Sequence, residues 1–80
     1  MTDFKRPISA VAREIIADWK NPHPFAQPYL DALLTLRFPT DRYIAEDGHS
    51  IVVYFLANAS TYRGERARIL KAELRAIIGE

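Results

Sequence analysis

Apolar residues recur at helical spacing at both ends of the chain, and no other feature of the sequence constrains the fold as much. Ile8, Val11, Ala12, Ile15, Ile16 and Trp19 stand at i, i+3, i+4, i+7, i+8 and i+11, which gathers them on one helical face. Arg13, Glu14, Asp18 and Lys20 fall mainly on the other side. Near the C-terminus, Ala67, Leu70, Leu74, Ile77 and Ile78 repeat the pattern and stop at Gly79, a residue suited to a helix C-terminus. The spacing predicts a first helix over about 7–20, opened by Pro7 and closed by Asn21-Pro22. It predicts a last helix opened by the cap-like pair Ser60-Thr61, although Gly64 stands where a capping box has Glu or Gln.

Between these helices the prolines set the organisation. Pro22, Pro24 and Pro28 fall within the eight residues 21–28, which predicts a stiff, extended connector that orients its neighbours. A second helix is expected over about 28–37, stopped at Phe38-Pro39. Its broad apolar surface (Tyr29, Leu30, Ala32, Leu33, Leu34 and Leu36) implies burial on more than one side. The segment 40–55 has two readings. Asp47-Gly48 ahead of Ile51-Val52-Val53-Tyr54-Phe55 is a β-hairpin signal. The same residues also read as an N-cap, Asp47 or Ser50, followed by a short central helix over 51–59 that is apolar almost all round. The helical reading is preferred, because the Tyr43-Ile44 arm is short and an isolated two-stranded hairpin is weak. The expected fold is therefore a compact all-α domain of four helices with Pro-rich connectors and helix 3 at its centre. The alternative is an α+β fold with a hairpin at about 42–55. No internal repeat or boundary divides the chain, so one domain spans 1–80, with 1–6 as a loose N-terminal arm.

Composition narrows the function classes. Eleven Lys+Arg against ten Asp+Glu give a net charge of +1, and 49% of residues are hydrophobic, which argues against a disordered tail or a generally basic nucleic-acid coat. With no cysteine there is no disulfide framework, thiolate zinc site or thiol nucleophile. The longest apolar run, 51–57, falls far short of the roughly 20 residues that span a bilayer. The N-terminus lacks the apolar segment of a signal peptide, so a cytoplasmic protein without membrane association is expected. The same absence leaves Asn58-Ala59-Ser60 as an unused glycosylation sequon. A chain this short buries little over 60% of its extended surface, so a homodimer or a docked partner would help to stabilise it.

Few residues carry a chemical signature. His23 and His49 lie far apart and would need Glu46 or Asp47 brought beside them to hold a metal, and no ligand spacing supports that. Glu46-Asp47 is an adjacent carboxylate pair, best explained as part of a turn. Gly48, Gly64 and Gly79 form no phosphate-cradling loop, and no serine sits in a nucleophile elbow. No enzymatic activity, cofactor or metal is expected. Charge is nevertheless polarised: Asp41, Glu46 and Asp47 face only Arg42 in 40–48, whereas 63–75 holds five basic residues against Glu65 and Glu73. Arg68, Lys71 and Arg75 form a stripe that could follow phosphates if helices 3 and 4 made a helix-turn-helix. Among the aromatic residues, Trp19 and Phe25 are expected to pack. Tyr62, at the exposed start of helix 4, is the one to offer a partner, together with Arg63 and Arg66.

The stretches Asp18-Trp19-Lys20-Asn21-Pro22, Pro28-Tyr29-Leu30-Asp31-Ala32 and Asn58-Ala59-Ser60-Thr61-Tyr62-Arg63-Gly64-Glu65, followed by Lys71-Ala72-Glu73-Leu74, resemble a group of small proteins encoded by bacteriophages of actinobacteria. The resemblance runs from Ile8 onward and brings no assigned activity or functional residue. It implies a small protein in the cytoplasm of an infected bacterium that binds a host or phage macromolecule. The expected function is thus a non-enzymatic interaction protein binding another protein through Tyr62, Arg63 and Arg66, with a homodimer as one form. The alternative is a small DNA-binding regulator using Arg68, Lys71 and Arg75.

Overall fold

In the computed structural model, which describes residues 5–80, the elements run α1 (Ile8–Asp18), α2 (Gln27–Leu33), β1 (Arg42–Tyr43), β2 (Glu46–Asp47), α3 (Gly48–Ala57) and α4 (Glu65–Ile77). The fold is mostly helical, with one very small antiparallel hairpin, so it is not purely all-α. Both readings of the central segment contribute. The hairpin pairs Arg42 with Asp47 and Tyr43 with Glu46, and its turn is Ile44-Ala45 rather than Asp47-Gly48. Helix α3 follows at once, and the Asp47 carboxylate caps it by accepting from the Ser50 N–H at 2.9 Å.

Helix α1 carries its apolar stripe into the core through Ile8, Val11, Ala12 and Ile15. Pro7 offers no side-chain cap. Instead the N–H groups of Ile8 and Ser9 donate to the carbonyls of Arg37 (3.1 Å) and Leu36 (2.8 Å), which ties the start of α1 to the end of the α2 segment. The helix stops at Asp18, two residues short of expectation, because Trp19 is already extended (φ −89°, ψ 98°). Helix α2 ends at Leu33 rather than Arg37. Past it, the N–H groups of Leu34, Thr35 and Leu36 bond back only three residues, and the Thr35 hydroxyl also donates to the Ala32 carbonyl, so the chain tightens into turns.

Helix α4 begins at Glu65, later than the Ser60-Thr61 pair implied. The N-cap is Gly64, whose φ of +112° disfavours a side chain. At the other end Gly79 is left-handed (φ +87°). The Glu80 N–H reaches the Arg75 carbonyl and the Gly79 N–H the Ala76 carbonyl, a Schellman closure.

The buried apolar residues form one cluster, with α4 packed chiefly on α1 and α2 chiefly on α3. At its centre the Trp19 ring stacks on Tyr62 (4.9 Å between centroids) and meets Phe55 edge-on (6.3 Å). The described residues measure 33 × 32 × 19 Å, about two helix diameters in the short direction. In so thin a body no helix is covered all round. Helix α3 therefore buries Ile51, Val52 and Phe55 but leaves Val53 and Tyr54 in part exposed, which corrects its expected placement at the apolar centre.

Polar contacts fix the outer surface. The expected loose arm spans 1–6; residues 1–4 lie outside the described residues, and Arg6 is held by a two-nitrogen fork on Glu73 (2.7 Å each) and by Glu14. Glu14 also accepts from Arg66 at 2.7 Å, which links the arm, α1 and α4. The Asp41 carboxylate accepts from the N–H groups of Arg37 and Phe38, which bends the chain ahead of the hairpin. These bonds hold Asp41 and Asp47 below their ordinary value of 3.8, and the hydrogen bond from Arg6 holds Glu14 below 4.5. A depressed carboxylate contributes stability that is complete above its unfolded value and is lost as pH falls through the lower folded one. Thermal melts from about pH 6 down to about pH 2 should therefore show stability falling below pH 4.5 and most steeply below 3.8. The double variant Asp41→Asn/Asp47→Asn should flatten that slope; an unchanged slope would show that these two carboxylates do not drive acid unfolding.

Candidate functional site

Between α2, α3 and the hairpin lies an open cleft of about 380 Å³. Ala32 and Ile51 form its floor and Pro28, Tyr29 and Tyr54 its walls, with Tyr43, Ile44 and Ala45 on the lip. The Tyr29 and Tyr54 rings lie 5.7 Å apart at 46°, and Tyr54 is 42% exposed. Pro28 and Tyr29 also line a neighbouring hollow with Pro24, Phe25 and Asn58, so the apolar surface continues from the hairpin to the proline connector. Phe25, which was expected to fold back onto helix 1 or 2, instead stands 70% exposed beside His23 (5.2 Å between rings). The expected extended connector is instead a turn, in which the Ala26 N–H donates to the His23 carbonyl at 2.8 Å, and it is Ala26 that enters the core while Phe25 is left outside. The Phe25 N–H donates to His23 Nδ1 at 3.1 Å and stabilises the outward turn.

Ile44 is the most unusual residue of this surface. It occupies the first position of a two-residue turn with φ +57°, and among the described residues it is the one non-glycine residue with positive φ. Such a turn has the φ pattern of type II′, where glycine is the usual occupant. A β-branched side chain there costs about 1–2 kcal/mol in steric strain. Ile44 gains no burial in return, being 87% exposed. Packing therefore does not explain it, whereas a strained, outward-facing apolar residue at the lip of a cleft is a feature that function can maintain. The cleft carries one charged lining residue, Glu46, and otherwise offers apolar walls and tyrosine hydroxyls. It suits an aliphatic or aromatic side chain with a cation beside it.

The residues singled out by sequence are distributed differently. Tyr62 is 2% exposed, so its expected surface position is corrected: the loop before α4 folds it under Trp19, and its hydroxyl donates to Asp18 Oδ2 at 2.7 Å. Burial, then this hydrogen bond, pushes its pKa well above the ordinary 10.0. Arg66 is exposed and paired with Glu14, while Arg63 is exposed with its Nε bonded to the Ser60 carbonyl. Arg68, Lys71 and Arg75 do meet, in a shallow depression with Tyr62, Arg63 and Gly64. Seven residues, 58–64, separate α3 from α4, and α4 packs mainly on α1. A helix-turn-helix has a turn of three or four residues and pairs its two helices, so that outline is not met.

Of Glu46, Asp47 and His49, only Glu46 lines the cleft, since Asp47 caps α3 and His49 is exposed in its first turn. Among the described residues no three His, Cys, Asp or Glu side chains group to hold a metal ion, and no helix is long and apolar enough to cross a membrane. No family model, curated protein or solved structure matches this chain.

The cleft itself was not found from sequence. Tyr43-Ile44-Ala45-Glu46 lacks the Asn-Gly or Gly residues that mark a hairpin turn, so the only available signal is Tyr43-Ile44, an aromatic and an isoleucine without a place in any helical stripe.

Proposed function

We propose that this protein is a non-enzymatic interaction module whose cleft between α2, α3 and the hairpin docks a segment of another protein. The observation that supports this reading is Ile44, exposed and sterically costly at the lip of an apolar cleft. Glu46 defines the partner's chemistry as an aliphatic or aromatic anchor residue flanked by Lys or Arg. A second copy of the chain fits less well, because a two-fold contact through this face brings two acidic hairpins, each with Asp41, Glu46 and Asp47, against one another. In the setting implied by the resemblance to actinobacteriophage proteins, the partner is a host or phage protein in the bacterial cytoplasm.

The test is affinity capture from nuclease-treated bacterial lysate with the native protein and with Tyr54→Ser. Tyr54 is 42% exposed and its ring meets Tyr29 at 5.7 Å, so its loss should cost on the order of 1 kcal/mol, and a thermal melt confirms that the variant is folded before capture is compared. Loss of a central aromatic anchor should weaken the partner by roughly thirtyfold, the equivalent of about 2 kcal/mol. A captured protein retained equally by Tyr54→Ser, or a homodimer that Tyr54→Ser dissociates, would contradict the reading.

A further inference from the structure

The cations of this fold fall into two sets. Where an arginine joins elements together, a carboxylate meets it: Arg6 has Glu73 and Glu14, and Arg66 has Glu14. The depression at the start of α4 differs. Arg63, Arg68, Lys71 and Arg75 line a shallow space of about 380 Å³, and no carboxylate lines it with them. Among the described residues no ion pair involves Arg63, Lys71 or Arg75. Arg68 reaches only Glu65, at 3.8 Å, and both side chains are largely exposed, where such a contact contributes little.

Lys71 is fixed in place. Its ammonium donates to the carbonyls of Tyr62 (2.7 Å) and Ala59 (3.0 Å), which uses two of its three N–H bonds. Burial, and then the charges of Arg75 and Arg63, lower its pKa, so the cluster is mutually repulsive as it stands. An anion in the depression would relieve that repulsion.

We infer that this depression binds the phosphodiester backbone of a nucleic acid strand, independently of the protein-docking cleft. Arg68, Lys71 and Arg75 extend along about 10 Å of helix axis, with Arg63 beyond its N-terminal end. That length exceeds one small anion and reaches adjacent phosphates of a strand, which succeed one another by about 3.4 Å of rise along the duplex axis. The aromatic residue at the site, Tyr62, is committed to Trp19 and presents no free face for stacking a base. Recognition is therefore electrostatic and independent of sequence.

The experiment is fluorescence anisotropy with a labelled short DNA duplex and a labelled poly-glutamate peptide, across about 50 to 200 mM salt. The variant is Arg63→Gln/Arg75→Gln, and Arg13→Gln/Lys20→Gln, equal in charge change and exposed elsewhere, is the control. The inference predicts that native protein binds the duplex and that Arg63→Gln/Arg75→Gln weakens binding by at least tenfold, or about 1.4 kcal/mol. It also predicts that this variant lowers the slope of log K against log salt by about 1.8, or 0.9 per lost phosphate contact. The control should change neither. No binding at low salt, equal losses in both variants, or poly-glutamate binding as tight as the duplex would each overturn it; the last would indicate an acidic protein surface instead.

Discussion

Replacing Tyr62 with alanine should cost about 3–5 kcal/mol, as much as truncating any aromatic residue of this core. The ring is 2% exposed, stacks on Trp19, and ends in a hydroxyl that donates to Asp18, so truncation opens a cavity where α1, α4 and the loop between α3 and α4 meet. An 80-residue domain holds about 4–12 kcal/mol in total. The melting temperature should drop by about 12–40 °C, at about 4–8 °C per kcal/mol. Tyr62→Phe keeps the stack and loses one hydrogen bond, a cost on the order of 1 kcal/mol. If Tyr62→Ala melted like the native protein, the packing described for Trp19 and Tyr62 would be wrong. The comparison matters for function too: a loss of partner binding in Tyr62→Ala would report unfolding, not the removal of a contact.

The second large effect has the opposite sign on stability. Ile44→Gly should stabilise the fold by about 1 kcal/mol, because glycine adopts positive φ without the steric cost that isoleucine bears, offset in part by its greater freedom in the unfolded chain. In a domain of this size that corresponds to a rise of about 4–8 °C. The same change removes an apolar anchor 87% exposed on the cleft lip, so partner binding should weaken by roughly thirtyfold. A substitution that improves the fold while removing an interaction is the signature of a residue kept at the expense of stability.

What could be read from the sequence follows the physics of each element. Helices α1 and α4 were legible because their apolar stripes are strictly periodic, and Asp47 was legible as one of two caps for α3. Element ends were less so, since Thr35 and Gly64 act through local hydrogen bonds and a single dihedral angle that periodicity does not encode. Tyr62 was misplaced because its burial depends on Trp19 and Asp18, distant in sequence. Phe25 is the converse case: its apolar character argues for packing, but the turn over 23–26 carries Ala26 into the core and leaves Phe25 outside. The hairpin is legible only as the alternative fold, with its turn at Asp47-Gly48 rather than Ile44-Ala45, because Ile44 contradicts the turn chemistry its position calls for. The sequence places Lys71 in a basic stripe, and the two carbonyls that fix it come from a loop whose path only the fold defines.

The most direct test of a docking role for the cleft measures native protein and Ile44→Gly side by side, by thermal melting and by capture of partner protein. A higher melting temperature together with lost capture is the expected pair of results. A melting temperature that falls, or capture that persists unchanged, would contradict it, because Ile44 would then be a structural residue and the cleft would not be the docking surface.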